Sequence, residues 1–261
     1  TSGEVRVFGL DPAKDGAKIR ARTGVLTETP ALDDRLTARS TLLYFADMFG
    51  VPKDKVQSRV DGLLEMFDLG ERGKDKVGGF SKGMRQRLAL ARTLLHEPQI
   101  VFLDEPTSGL DPAATREVHQ MIQRLRATGN TVFLATHNLA EAERLCDRVA
   151  VLARGKALAV GTITELAARL NRGHRLLVEV DSGRQEQVTE LLRPLPQITL
   201  VEPAHEANSY AAGSALLRIH GAGREHVPEV IARLAGAGVP LYRVEPDAPS
   251  LEDVYFALEH A

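Results

Sequence analysis

Two adjacent carboxylates, Asp104 and Glu105, close the apolar run "IVFLD" and are followed by a proline and a small-residue turn, "PTSGLD". Neighbouring acids point in different directions, so one can hold a magnesium ion, often through its waters, while the other polarises an attacking water. A second apolar run, "TVFLATH", ends in His137, and "FSKGMRQRLALAR" precedes the acids by a short gap. In that segment Ser81 and Gly83 open a helix, where free backbone N–H groups and the helix dipole favour a phosphate. Gly83 has no side chain to keep a ligand from the backbone. Each feature alone has a plain reading: solvated acids, an N-cap, a hydrogen-bonded histidine. Together they carry more weight than each does alone. In a nucleotide hydrolase such acids face a glycine-rich phosphate cradle.

The elements that must position these groups follow from periodicity. "IVFLD" (100–104) and "TVFLATH" (131–137) are continuous apolar runs of the kind found in parallel strands covered on both faces. A helix at about 112–127, ended by Gly129, joins them as a strand–helix–strand unit. Upstream, 4–9 alternates like a strand, and a short strand is expected over Thr23–Leu26. Apolar residues at helical spacing then predict helices over 37–50, 53–70 and 81–98, with Thr37 and Ser81 as caps. A helix over 139–147 and two strands around Arg154–Gly155–Lys156 follow. Beyond Gly173 the order becomes strand 174–180, helix 184–193, strand 197–202, strand 215–220, helix 224–235, strand 240–245, the split βαβ order of a ferredoxin-like unit, with a last helix over 250–260. An exposed loop is expected over 205–214. The domain boundary therefore falls between 172 and 173, with a helical subdomain at about 37–98 inside the first domain.

Composition narrows the class. The 261 residues carry a net charge of −2, which gives no reason to expect nucleic acid as a partner. No apolar run approaches ~18 residues, so the chain has no sequence suited to crossing a bilayer as a helix. The single cysteine, Cys146, rules out an internal disulfide and fits a reducing compartment.

The segments between 80 and 137, in this order and at these spacings, resemble the ATP-binding cassette (ABC) ATPases. "FSKGM" is similar to their signature motif, "IVFLDE" to the Walker B strand, "SGLD" to the D-loop, and His137 to the switch histidine. The likeness extends over about residues 1–165, and the ending "PSLEDVYFALEHA" resembles the tail of drug- and antibiotic-exporter ATPases of the ABC-2 kind. The resemblance implies an α/β fold, a P-loop NTPase-type cassette with a parallel sheet and a helical subdomain, followed by the small α+β ferredoxin-like domain. It implies ATP as substrate with Mg2+. Asp104 would hold the metal, Glu105 would be the general base and His137 would contact the γ-phosphate. Ser81, Lys82 and Gly83 would meet the γ-phosphate of a nucleotide held by a second subunit, and Asp111 would help couple the two sites. Glu28 stands where the family has its Q-loop glutamine, as a further candidate for the metal and the nucleotide. Lys82 and Met84 depart from the commonest signature in a way similar to exporter-type members. The implied partners are a separate transmembrane permease, met through the helical stretch 37–70, and a second ATPase in a homodimer or heterodimer, on the cytoplasmic face of the cell membrane.

The cradle itself is not in these residues. No G-x-x-x-x-G-K-[ST] pattern occurs; the Gly–Lys pairs at 73–74 and 155–156 lack the following hydroxyl. The expectation is truncation, with an N-terminal strand, the P-loop and a first helix ahead of Thr1. The chain by itself would then be inactive although its family hydrolyses ATP. The alternative is a non-catalytic half that lends its signature motif to an intact partner's ATP. A soluble ABC protein of translation or DNA repair would show a second cassette, zinc clusters or long coiled-coil arms, and none is visible.

Overall fold

The computed structural model describes residues 3–169, 174–204, 213–247 and 250–259. Packing divides the chain into two compact units, Thr1–Leu145 and Cys146–Ala261.

The first unit opens on a tight turn. Val7 and Leu10 exchange backbone hydrogen bonds across Phe8 and Gly9, both with positive φ (55° and 75°). The strand expected over 4–9 is thus absent: alternation supplies no partner strand, and the chain closes on itself instead. Helix α1 (Pro12–Arg20), which periodicity passes over, is capped by the Asp11 carboxylate and has proline in its first turn. Strand β1 (Thr23–Leu26) follows. Helix α2 (Ala38–Met48) starts at Thr37, whose hydroxyl accepts from Ser40 N–H, and helix α3 (Lys53–Met66) packs on it. Helix α4 (Lys82–Thr93) starts at Ser81. Strand β2 (Ile100–Asp104), helix α5 (Pro112–Ala127), strand β3 (Thr131–Ala135) and helix α6 (Leu139–Leu145) complete the unit.

The sheet is parallel throughout, in the order β1-β2-β3, with Leu26 opposite Leu103 and Asp104 opposite Ala135. Its core face packs Leu26, Val101 and Leu103 against Leu88, Leu90 and Ala91 of α4 and Val118 and Ile122 of α5. Gly24 lets β1 approach the end of α4 closely, for a Cβ there would lie 2.5 Å from the Thr93 carbonyl oxygen. The opposite face is less covered than continuous apolar runs lead one to expect. Val25, Phe102 and Phe133 share one row of the register, and Val25 and Phe133 remain 54% and 60% exposed.

The second unit begins with a hairpin, β4 (Val149–Ala153) and β5 (Lys156–Gly161), whose turn residues Arg154 and Gly155 have the positive φ that a two-residue hairpin turn demands. Helix α7 (Ile163–Arg169) follows. Strand β6 (Arg175–Asp181), helix α8 (Gln185–Leu192), strands β7 (Leu200–Pro203) and β8 (Ser214–His220), helix α9 (Val227–Gly236) and strand β9 (Leu241–Pro246) form an antiparallel sheet in the order β7-β8-β6-β9. That is the ferredoxin-like arrangement, with the helices covering the face lined by Leu176, Val178, Leu217 and Ile219. Helix α10 (Leu251–Glu259) packs on α7 through Val254, Leu166 and Ala167. This contact explains why packing groups 146–169 with the C-terminal unit, whereas sequence order places the division between 172 and 173. Gly173 and most of the loop expected over 205–214 lie outside the described residues.

Candidate active site

The carboxyl ends of three neighbouring parallel strands bring the predicted groups together. Glu28 lies two residues past β1, Asp104 ends β2 with Glu105 next to it, and His137 lies two residues past β3. Such edges are where open α/β sheets bind ligands. Glu105 holds φ = 46° and donates its N–H to Ala135 O at 2.9 Å, so the ladder continues one residue beyond β2 while the chain turns. A non-glycine residue in this region costs about 1–3 kcal/mol. Its Oε1 accepts from His137 N–H at 2.9 Å and lies 2.7 Å from His137 Nδ1. A carboxylate only accepts, so Nδ1 carries the proton. The hydrogen bond to Glu105 and the charge of that carboxylate raise the His137 pKa above the ordinary histidine value. Partial desolvation opposes them weakly, and the charges of Glu141 and Glu28 add to the rise. His137 Nε2 and Glu105 Oε2 hold no partner among the described residues. Asp104 and Glu28 are exposed.

The other predicted residues gather elsewhere. Ser81 Oγ accepts from Met84 N–H at 3.2 Å, the geometry of an N-cap. Gly83 faces α5: a Cβ there would sit 3.2 Å from Ala114 Cβ. The Lys82 ammonium fills the space beside Gly109, whose φ of +63° makes the turn after Ser108. Asp111 Oδ1 accepts from Ala113 and Ala114 N–H, each at 2.9 Å, and so caps α5. The described residues thus form two clusters, one at the sheet edge and one where α4 and α5 begin. Gln86 of α4 links them, donating to Pro106 O at 2.6 Å. The same helix holds the loop that carries Glu28, through Arg92 to Ala31 O at 2.9 Å and Arg85 to Asp34 at 2.6 Å.

Among the described residues no group of three or more His, Cys, Asp or Glu is arranged to hold a metal ion. Asp104 and Glu28 are the exposed carboxylates at this edge.

Motif reading overlooks Glu141. Its side chain is fully buried and accepts from Thr107, Thr136 and His119. The available signal is its place on the buried stripe of α6, four residues before Leu145.

A family model described as ABC transporter matches residues 1–108. The chain is 34% identical over 257 residues to the daunorubicin resistance ATP-binding protein DrrA3 of Streptomyces coeruleorubidus, covering 98% of this chain and 78% of that protein. It is 31% identical over 260 residues to the linearmycin resistance ATP-binding protein LnrL of Bacillus subtilis (strain 168), covering 98% and 80%. It is 34% identical over 258 residues to the Nod factor export ATP-binding protein I of Rhizobium sp. (strain N33), covering 98% and 79%. A solved structure described as the ATP binding subunit of an ABC transporter superposes with a TM-score of 0.58 at 32% identity, over 64% of this chain and 70% of that one.

Proposed function

The chain belongs to the ATP-binding subunits of the ABC transporter family, and from that premise we propose that it serves an export system of the drug and antibiotic kind, coupling ATP hydrolysis to a separate membrane permease. Resistance and export in the names of its relatives support the direction of transport. No helix among the described residues is long and apolar enough to cross a membrane.

The observation that carries the hydrolytic reading is the Glu105–His137 pair, with unpartnered Asp104 beside it at the same sheet edge. In this reading Asp104, with Glu28 near it, holds Mg2+, which when bound offsets phosphate charge. Glu105 takes a proton from the attacking water at Oε2, since Oε1 is held by His137. His137, whose pKa is raised beside Glu105, would as the imidazolium donate Nε2–H toward the γ-phosphate. The start of α4, with Ser81, Lys82 and Gly83, forms a separate cluster, which suits a phosphate presented by a second ATPase subunit, identical or related. Asp111 caps α5 beside it and ties the D-loop turn to that surface. The whole assembly would work at the cytoplasmic face of the membrane.

These 261 residues contain no phosphate-binding loop of the G-x-x-x-x-G-K-[ST] kind. We therefore expect the chain by itself to bind MgATP weakly and to hydrolyse none. The separate cluster at the start of α4 supports a second reading, in which the chain lends Ser81–Gly83 to an intact partner's nucleotide. Calorimetry with MgATP on the chain alone is the first test, and a low-micromolar Kd, about −8 kcal/mol, would refute the expected weakness. The two readings part when a phosphate-binding segment is supplied ahead of Thr1. Glu105→Gln should then slow turnover ~10²–10⁴-fold with ATP still bound, the range of a lost general base. Turnover within a factor of about two of the parent would remove Glu105 from that role.

A further inference from the structure

Glu141 has no part in the chemistry above, yet it is the buried acid nearest in sequence to His137. Its side chain is 0% exposed. Oε1 accepts from the Thr107 hydroxyl at 2.9 Å and meets His119 Nε2 at 2.9 Å, and Oε2 accepts from the Thr136 hydroxyl at 2.8 Å. No guanidinium or ammonium group pairs with it among the described residues. Burying a carboxylate without a full counter-charge is costly, and an apolar side chain of similar volume is often as good or better for stability. What the carboxylate does here is join specific pieces of chain. Thr107 stands two residues after Glu105, Thr136 stands immediately before His137, and His119 belongs to α5. Asn138 closes the ring, donating its N–H to Thr136 Oγ1 at 3.0 Å and accepting from Glu141 N–H at 3.1 Å.

We infer that Glu141 is the positioning residue of the sheet-edge site: by holding Thr107 and Thr136 it sets the turn after β2 against the turn after β3, and so fixes Glu105 on His137. Apart from the Glu105–His137 bonds themselves, the two turns are otherwise joined through the backbone ladder, which ends at Glu105 N–H and Ala135 O. A carboxylate is suited to this task because its two oxygens accept from three donors on three elements. An apolar residue would fill the space and leave both hydroxyls and the imidazole without partners. The consequence for hydrolysis rests on the function proposed above. The positioning is measurable without nucleotide, so the two fail separately.

The test follows the His137 ring by NMR through a pH titration of the labelled full chain. Glu105→Gln defines the midpoint of a broken pair, which lies below that of the parent. Glu141→Ala should bring the midpoint most of the way to that reference. Glu141→Gln keeps an acceptor for Thr107 and His119 and turns its amide to Thr136, so it should retain most of the parent's midpoint. A folded Glu141→Ala chain that titrates like the parent would overturn the inference. So would a Glu141→Gln chain that falls as far as Glu141→Ala, because Glu141 would then act through its charge alone. If Glu141→Ala loses its far-UV CD signal, the double variant Thr107→Val, Thr136→Val decides, since it keeps the carboxylate and His119. A lowered midpoint is then expected, and an unchanged one overturns the inference equally.

Discussion

Carboxylates serve opposite ends in the two units. At the edge of the parallel sheet, Glu105 bonds to His137, the charge of Glu28 also acts on that imidazole, and Asp104 is exposed beside them. In the ferredoxin-like unit Arg175, 1% exposed, lies 3.1 Å from Asp247 and 2.9 Å from Asp253, and Arg218 meets Asp247 at 2.7 Å. There each acid is matched by a guanidinium, and the cluster joins β6, β8 and the start of α10. Where charge is matched, an acid holds the fold. Where negative charge is left in excess at a strand end, a cation from solution can relieve it.

The sharpest way to break this comparison is to remove the matching cation. Arg175→Met should destabilise the second unit by about 3 kcal/mol, because Asp253 loses its guanidinium and Asp247 keeps only Arg218. Urea unfolding measures it, and a loss under ~1 kcal/mol would mean that the cluster contributes little. Asp253→Asn should cost about 2 kcal/mol near neutral pH, the range of hydrogen bonds to charged groups. Burial pushes the Asp253 carboxyl up, but Arg175 and the Ser250 N–H and hydroxyl outweigh it and hold it well below the usual carboxylate range. A depressed pKa gives stability that is present above the unfolded value, ~3.9, and fades as pH falls toward the folded one. The gap between parent and variant should therefore narrow below pH ~4, and a gap constant with pH would contradict the charge argument.

At the ligand-facing surfaces of the first unit the expected effects shrink. Ser81→Ala should cost about 1 kcal/mol, the worth of an N-cap, in thermal or urea unfolding. Asp104→Asn should change stability by no more than about 0.5 kcal/mol in either direction, because the exposed Asp104 side chain bonds to none of the described residues. A loss above ~2 kcal/mol there would show that Asp104 is structural, and would end the contrast between the two units.

Much of the fold was legible because local chemistry and global packing agree. Thr37 and Ser81 cap the helices expected at those positions, and the ferredoxin-like order of the second unit follows from its alternation of strands and helices. Helix α1 was missed although Asp11 and Pro12 announce a helix start, because none of its residues is buried and no apolar stripe marks it. The 4–9 segment was over-read because alternation cannot say whether a partner strand exists. The grouping of 146–169 with the C-terminal unit was equally hidden, since it depends on α10 packing on α7 from about ninety residues away.

By itself the sequence determined the chemical inventory: acids at the end of a buried run, a histidine at the end of the next, a serine and glycine opening a helix. These are fixed by residue type and by spacing within one element. Only the tertiary structure decided which of them meet. The parallel register that sets Asp104 opposite Ala135 brings Glu105 onto His137 across 32 positions of chain. The same packing sends Ser81, Lys82 and Gly83 to a separate cluster. It also draws Thr107, His119 and Thr136 around Glu141. Such contacts join segments that share no local periodicity. Their free energy comes from burial and hydrogen bonds that exist only once the sheet and its helices have assembled.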